Sequence, residues 1–323
     1  MAAVMLAAAC SLPATPAWAA SNGLWSVSPT TLPGHSPRAF FQPGLTPGKP
    51  YVDSVTVANY TADPLTFHLY GADAINTPGG GLSLRRRTDV QEDMGKWITL
   101  PYSLLTVPPH TYSVVPFVIV PPREAVPGDH VGGIVAEETK GTTSRAGSTQ
   151  ITVVQAVGVR VYGRVVGALQ PSISLRQVSL SVRTSTATQF GGTLHADVGF
   201  VVVNTGNTVL SPRTTVVLST PFGTAARRTF RLNQLLPGYS VPFAVSFPGV
   251  NAYGHLHASV QVAIAHATET GTATAWALPW ALFGVVLVAI VLLFVALRAR
   301  RRRKAKRPEE SETESEVGAT PLG

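Results

Sequence analysis

Between Ser21 and Ala275 apolar and polar residues alternate in short runs, and helical spacing is almost absent. A period of two marks strands with one buried face. In Tyr51–Asn59 (YVDSVTVAN) the alternation puts Tyr51, Val55 and Val57 on one side. In Leu65–Tyr70 it puts Leu65, Phe67 and Leu69 on one side and His68 and Tyr70 on the other. Further strands are predicted at Tyr112–Val120, Val131–Glu137 and Ile151–Val166, with Pro and Gly clusters between them. Short strands punctuated by such turns are the pattern of a β-sandwich.

The pattern breaks once. From Trp276 to Leu297 there are 22 residues without a charge, WALPWALFGVVLVAIVLLFVAL. As a helix this stretch is about 33 Å long, enough for a hydrocarbon core of ~30 Å. A transmembrane helix is predicted at 276–297. Eight of the ten residues Arg298–Arg307 are Arg or Lys, which predicts a cytoplasmic C-terminus and places Ser21–Ala275 outside. Trp276 and Trp280 then sit at the outer interface. The chain starts with an apolar run, Ala2–Leu12, and a small-x-small site at Ala17-Trp18-Ala19, so residues 1–20 read as a signal peptide. Cys10 lies in that run as its only cysteine, which leaves the exported part without a disulfide. Its stability must come from apolar cores.

A weak internal repeat divides the exported part. Val115–Pro122 (VPFVIVPP) lines up with Val241–Pro248 (VPFAVSFP) at a shift of 126, and Val55–Asn59 (VTVAN) with Val201–Asn204 (VVVN) at a shift of 145. The order of the two matches predicts two related modules, the first with extra chain in its middle. The expected fold is mainly β: two tandem immunoglobulin-like β-sandwich modules, 21–167 and 168–268, plus one C-terminal transmembrane helix. Ala168–Pro171 reads as a short, stiff hinge, 269–275 as a polar stalk, and 298–323 as a basic then acidic cytoplasmic tail.

The net charge of +8 does not point to nucleic acid, because the densest basic run is the topology signal after the apolar helix. Catalytic and metal chemistry find little support. His255 and His257 share one strand face, but no Cys or carboxylate lies near them in sequence. Asp129-His130 follows Pro127-Gly128 without a nucleophile motif and reads as a turn before a strand. Gly79-Gly80-Gly81 lacks the Lys-Ser/Thr of a phosphate loop. Trp25 and Trp97 read as packing residues. No cofactor is expected, and no enzyme activity. The remaining chemistry is Arg85-Arg86-Arg87, in the extra chain between Asp73 and Lys96, with Asp89, Glu92 and Asp93 beside it. Adjacent guanidiniums suit carboxylates or phosphates.

The stretches YVDSVTVANYTADPLTFHLYGADAINTPGGG (Tyr51–Gly81), KWITL (Lys96–Leu100), VPGDHVGGIVA (Val126–Ala136) and VGVRVYGRVVG (Val157–Gly167) resemble the WxL-interacting protein family. The resemblance is to its N-terminal, peptidoglycan-binding domain, over about Trp25–Gly167. It implies a Gram-positive surface protein that binds peptidoglycan or another wall polymer, together with surface proteins carrying Trp-x-Leu motifs. Two functions are weighed: a membrane-tethered binding protein facing the wall, and an assembly chaperone or scaffold that holds a client by strand addition. A charge-free, Pro-free strand edge with an apolar groove beside it would favour the second, and a polar, aromatic-floored groove would favour glycan binding.

Overall fold

The computed structural model describes residues 20–304 apart from 147–148, 191 and 252; the predicted leader as far as Ala19, with Cys10, and the tail beyond Lys304 lie outside the described residues. The first module is built from β1 (Trp25–Pro29), β2 (Gly44–Leu45), β3 (Tyr51–Asn59), β4 (Leu65–Asn76), β5 (Leu82–Leu84), α1 (Met94–Trp97), β6 (Ile98–Thr99), β7 (Leu104–Val107), β8 (Tyr112–Ile119), β9 (Gly128–Glu138), the hairpin β10 (Thr142–Ala146) and β11 (Thr149–Val153), and β12 (Ala156–Val165). The second contains β13 (Ile173–Arg183), α2 (Thr186–Gln189), β14 (Leu194–Asn204), β15 (Arg213–Thr220), β16 (Gly223–Arg231), β17 (Ser240–Val250), β18 (Gly254–Ile264) and β19 (Ala267–Ala277), and α3 (Trp280–Lys304) follows.

Each module is a sandwich of two sheets. In the first, the sheet β1-β3-β8-β6 packs on β2-β12-β9-β4-β5, with β7 also on β4. In the second, β13-β14-β17 packs on β16-β15-β18-β19. The alternation read from the sequence fills the cores. Val55 and Val57 point inward with Val115 and Phe117, Trp25 packs on Phe67 at 5.3 Å, and Phe41 meets Phe117 edge-on at 4.9 Å. Burying each such side chain contributes about 1.5–3 kcal/mol. A separate core around Leu194, Phe200, Leu218 and Leu256 holds the second module.

The repeat is visible in three dimensions. β3 and β8 lie side by side in the first module as β14 and β17 do in the second. Asn59 ends β3 and Asn204 ends β14, and both are buried. Asn59 Nδ2 donates to the carbonyls of Asp63 and Val107, and its Oδ1 accepts from the Thr61 amide. Asn204 Nδ2 donates to the carbonyls of Thr208 and Leu235, and its Oδ1 accepts from the Gly206 amide. The same side chain satisfies the same kind of loop in both modules.

Two sequence expectations are corrected. The predicted stalk, 269–275, is part of strand β19, which pairs with β18 from Ile264↔Ala267 to Gly254↔Ala277. Its alternate residues are small: Gly271 fits against Val178 and Leu175, where a Cβ would lie 2.6 Å from Val178 Cγ2. A strand that buries only Gly and Ala carries no hydrophobic signal, so it reads as polar linker. The predicted helix start at Trp276 moves to Trp280 because Trp276 and Ala277 still belong to β19. α3 is apolar and long enough to cross a membrane, and it is unburied.

The modules are clamped together. Leu236 packs with Ala74 and Val131, with Leu82, Leu84, Tyr162, Val209 and Tyr239 around them. Asn76 forms a two-way bridge: its Nδ2 donates to the Gln234 carbonyl and its Oδ1 accepts from the Leu236 amide. Asn207 Nδ2 donates to the carbonyls of Pro127 and Ala168, and its Oδ1 accepts from the Gln170 amide. Gly128 has φ 130°, and a Cβ there would sit 2.1 Å from the Asn207 carbonyl oxygen. Only glycine permits that crossing of two backbones. Ala168–Pro171 is therefore tied to Asn207 at Ala168 and Gln170, which stiffens the connection.

Candidate binding groove

The extra chain of the first module is wound around one buried carboxylate. Asp73, in β4, accepts from the backbone amides of Glu92, Asp93 and Gly95 at 2.6–3.2 Å, and its own amide donates to Gln91 Oε1. Several charge-assisted bonds to one residue fix a segment with little apolar content of its own. Asp93 reaches His130 at the start of β9, where Nδ1 lies 2.6 Å from Asp93 Oδ1 and Nε2 lies 2.8 Å from the Val126 carbonyl oxygen. A carbonyl can only accept, so Nε2 donates. With Asp93 ionised, Nδ1 donates too, and the ring is an imidazolium. Burial opposes that charge, but the Asp93 carboxylate and the Val126 carbonyl outweigh it and raise the His130 pKa. The ring packs against Trp97 at 4.6 Å.

Arg85, Arg86 and Arg87 diverge from this loop. Arg85 turns inward: Nη1 donates to the Val90 carbonyl at 2.8 Å and Nη2 lies 3.5 Å from Glu92. It lines a cleft of ≈ 410 Å³ between the modules with Asp73, His130 and Tyr239. Arg87 pairs with Glu137 on β9 at 3.2 Å. Arg86 bonds Asp89 through its backbone amide, and its side chain has no acidic partner among the described residues. The three do not form one cluster.

Arg86 borders a larger recess on the outer face of the sheet β4-β9-β12. Its floor is Tyr70, Val135, Gly158 and Ala156, with walls at Leu82–Arg86 on one side and Thr152 and Val154 on the other, and its volume is ≈ 720 Å³. Register explains the floor: Tyr70 lies beside Val135, and Val135 beside Gly158. Leu84 crosses above Gly133 and Gly158, where any Cβ would lie within 2.8 Å of it. Burial, then the Glu137 carboxylate, pushes the Tyr70 phenol up to about 12. Arg160 on β12 borders this recess and also a second of ≈ 590 Å³, lined by Phe40, Tyr162, Arg164, Val209 and Gln234. The two recesses run on along β12 toward the second module. Arg164 is bound by Asp129 through both Nε and Nη2, at 2.6 and 3.2 Å. Arg160, like Arg86, has no acidic partner among the described residues. Sequence reading missed Arg160 because it stands alone in an alternating strand, one outward residue among others.

β12 also has an open edge. Residues 41–45 run beside its last half, with the Phe41 amide donating to the Arg160 carbonyl and the Tyr162 amide to the Phe41 carbonyl. Even-numbered residues of β12 therefore point their backbone groups away from β9. The cover begins only at Arg160. At Ala156 and Gly158 the outward groups bond no strand among the described residues, and β1 passes nearby without a ladder. Other long edges are blunted. β8 contains Pro116, β17 contains Pro242 and Pro248, and β16 carries Arg227, Arg228 and Arg231. β13 has an irregularity at Arg176/Ser179 with Gln177 at φ 52°, and β19 carries Glu269. Ala156–Val159 (AVGV) has no proline and no charge.

The other candidates resolve simply. Gly79 and Gly80 take φ 81° and 87° in the β4–β5 turn, and Gly80 abuts Phe243. Trp25 is core, and Trp97 is nearly so. His255 packs on Trp276 at 4.9 Å, and no metal-holding group of His, Cys, Asp or Glu occurs among the described residues.

No protein-family model matches this chain, and no curated protein does. Among solved structures it is similar to a chain of a chaperone–tip adhesin complex of CFA/I fimbriae biogenesis, with 11% identity over 77% of this chain and 98% of that one, at a TM-score of 0.36. It is similar to the YadV chaperone with 9% identity over 78% and 100%, at 0.34. A chain from the Salmonella enterica complex of SafA pilin with the SafB chaperone gives 7% identity over 78% and 95%, at 0.35.

Proposed function

We propose that this chain is a non-enzymatic, membrane-tethered protein of the extracytoplasmic side that holds an extended segment of a client protein by strand addition at β12. The observation that carries the reading is the outer edge of Ala156–Val159, unpaired among the described residues and unblunted beside a groove. An added strand would bond the outward groups of Ala156 and Gly158, and its alternate side chains would reach the recess between Tyr70 and Val154. α3 provides the tether, and the basic run at its end supports a cytoplasmic C-terminus. The chaperones among the similar structures are in keeping with this reading but do not carry it.

A photoreactive residue at Val154 of the full chain on cells tests it. It is expected to cross-link a secreted polypeptide. Ala156→Pro deletes one outward N–H and should cut that yield about 5–10-fold, the worth of one bond of ~1–1.5 kcal/mol. A yield unchanged by Ala156→Pro sinks strand addition.

A second reading has its own observation: Arg86 and Arg160, free of acids, border the same groove. They suit the phosphates or carboxylates of a wall polymer, in line with the resemblance to the WxL-interacting family. Arg86→Ala/Arg160→Ala should then weaken binding to purified sacculi and flatten its salt dependence. Binding equal to the parent's removes the wall from the groove.

A further inference from the structure

The end of the second module from which α3 leaves is tipped with aromatic residues from separate connections. Register fixes which connections share that end. Trp276 pairs with His255, Ser219 with His257, Leu194 with Val250, and Arg183 with His195. The described residues of the connections 184–193, 220–223 and 250–254 therefore lie at the level where β19 passes into α3. None of them contains Asp, Glu, Lys or Arg. Phe222, at the tip of the β15–β16 hairpin, is 94% exposed, and Phe190, after α2, is 58% exposed. Trp276 and Trp280 are 69% and 68% exposed. α2 lies against α3. Large rings on uncharged tips gain nothing from water, and aromatic side chains partition to the headgroup boundary of a bilayer.

We propose that this end of the second module rests in the lipid headgroup region, with Phe190 and Phe222 inserted beside Trp276 and Trp280. The proposal rests on α3 being a membrane anchor. The occupant is the bilayer that α3 crosses, because the aromatic tips share the end of the module from which α3 leaves. The contact is apolar, so neither salt nor anionic lipid controls it. It sets the tilt of the ectodomain and holds the β12 groove in a defined direction from the membrane.

The test uses the full chain in phosphatidylcholine vesicles, with Cys10, its only cysteine, replaced by Ser. An environment-sensitive fluorophore is attached in turn at Asn251→Cys, in a tip connection, at His266→Cys, in the far hairpin, and at Val286→Cys, in α3. Shallow spin-labelled lipids should quench position 251 and leave position 266 untouched, with 286 in the hydrocarbon. Phe190→Asp/Phe222→Asp should move position 251 into water and leave 286 in place. A label at 251 as wet as that at 266, with 286 in lipid, overturns the proposal alone. So does a label at 251 unmoved by the two Asp substitutions. A wet label at 286 overturns the anchor and the proposal together.

Discussion

At the residue scale, the charged centre of the first module is His130 held between Asp93 and the Val126 carbonyl. Its pKa is raised in the folded state, from an ordinary value of 6.5. The charged ring thus contributes stability that is fully present below about pH 6.5. That contribution is lost as the pH rises through the folded value. Urea midpoints measured from pH 6 to 9 should fall with pH in the parent and fall less in His130→Gln; parallel curves would contradict the imidazolium. Asp73 is the second such residue. Asp73→Ala removes the acceptor for three amides and should cost about 3 kcal/mol, seen as a lower urea midpoint. Asp73→Asn should recover part of the loss, since its amide oxygen still accepts. Residues in runs were legible in the sequence, as Arg85–Arg87 show. Their directions were not, because Arg85 turns to Val90 and Glu92 while Arg87 turns to Glu137, 50 residues away. Arg160 was illegible for the opposite reason, having no neighbours to mark it.

At the element scale, the strands with β-branched residues alternating against polar ones were readable, and so was the pairing of repeats that puts β3/β8 and β14/β17 in matching places. β19 was not, because its inward residues are Gly and Ala and its outward ones mostly Thr. Packing against Val178 and Leu175 makes it a strand, and that surface is far away in sequence. Gly271→Leu is therefore expected to destabilise the second module by about 1–3 kcal/mol through overpacking. A stalk in water would show no change. A melting curve of the two modules distinguishes these outcomes.

At the scale of the whole molecule, the two cores were legible and their clamp was not. Asn76, Asn207 and Gly128 look like ordinary turn residues until Gln234, Leu236 and Pro127 are brought to them. Asn76→Ala leaves the Leu236 amide without its partner and should cost about 1–3 kcal/mol. The two modules should then melt in two steps where the parent melts in one, as scanning calorimetry would show. Topology has its own check: protease added to intact, wall-stripped cells should degrade Ser21–Ala277 and spare a fragment containing Arg298–Gly323. The continuity of β19 with α3 has a mechanical side. If α3 anchors the chain as proposed, drawing the two modules away from the membrane sends tension from α3 into β19 along its axis. β19 is paired with β18 over its full length. The ladder is thus loaded in shear, all its bonds resisting together, where a hairpin pulled from one end would open bond by bond. With a clamp at the module boundary and a sheared ladder next to α3, a client held at β12 as proposed would turn the protein about the foot of α3 before unravelling it.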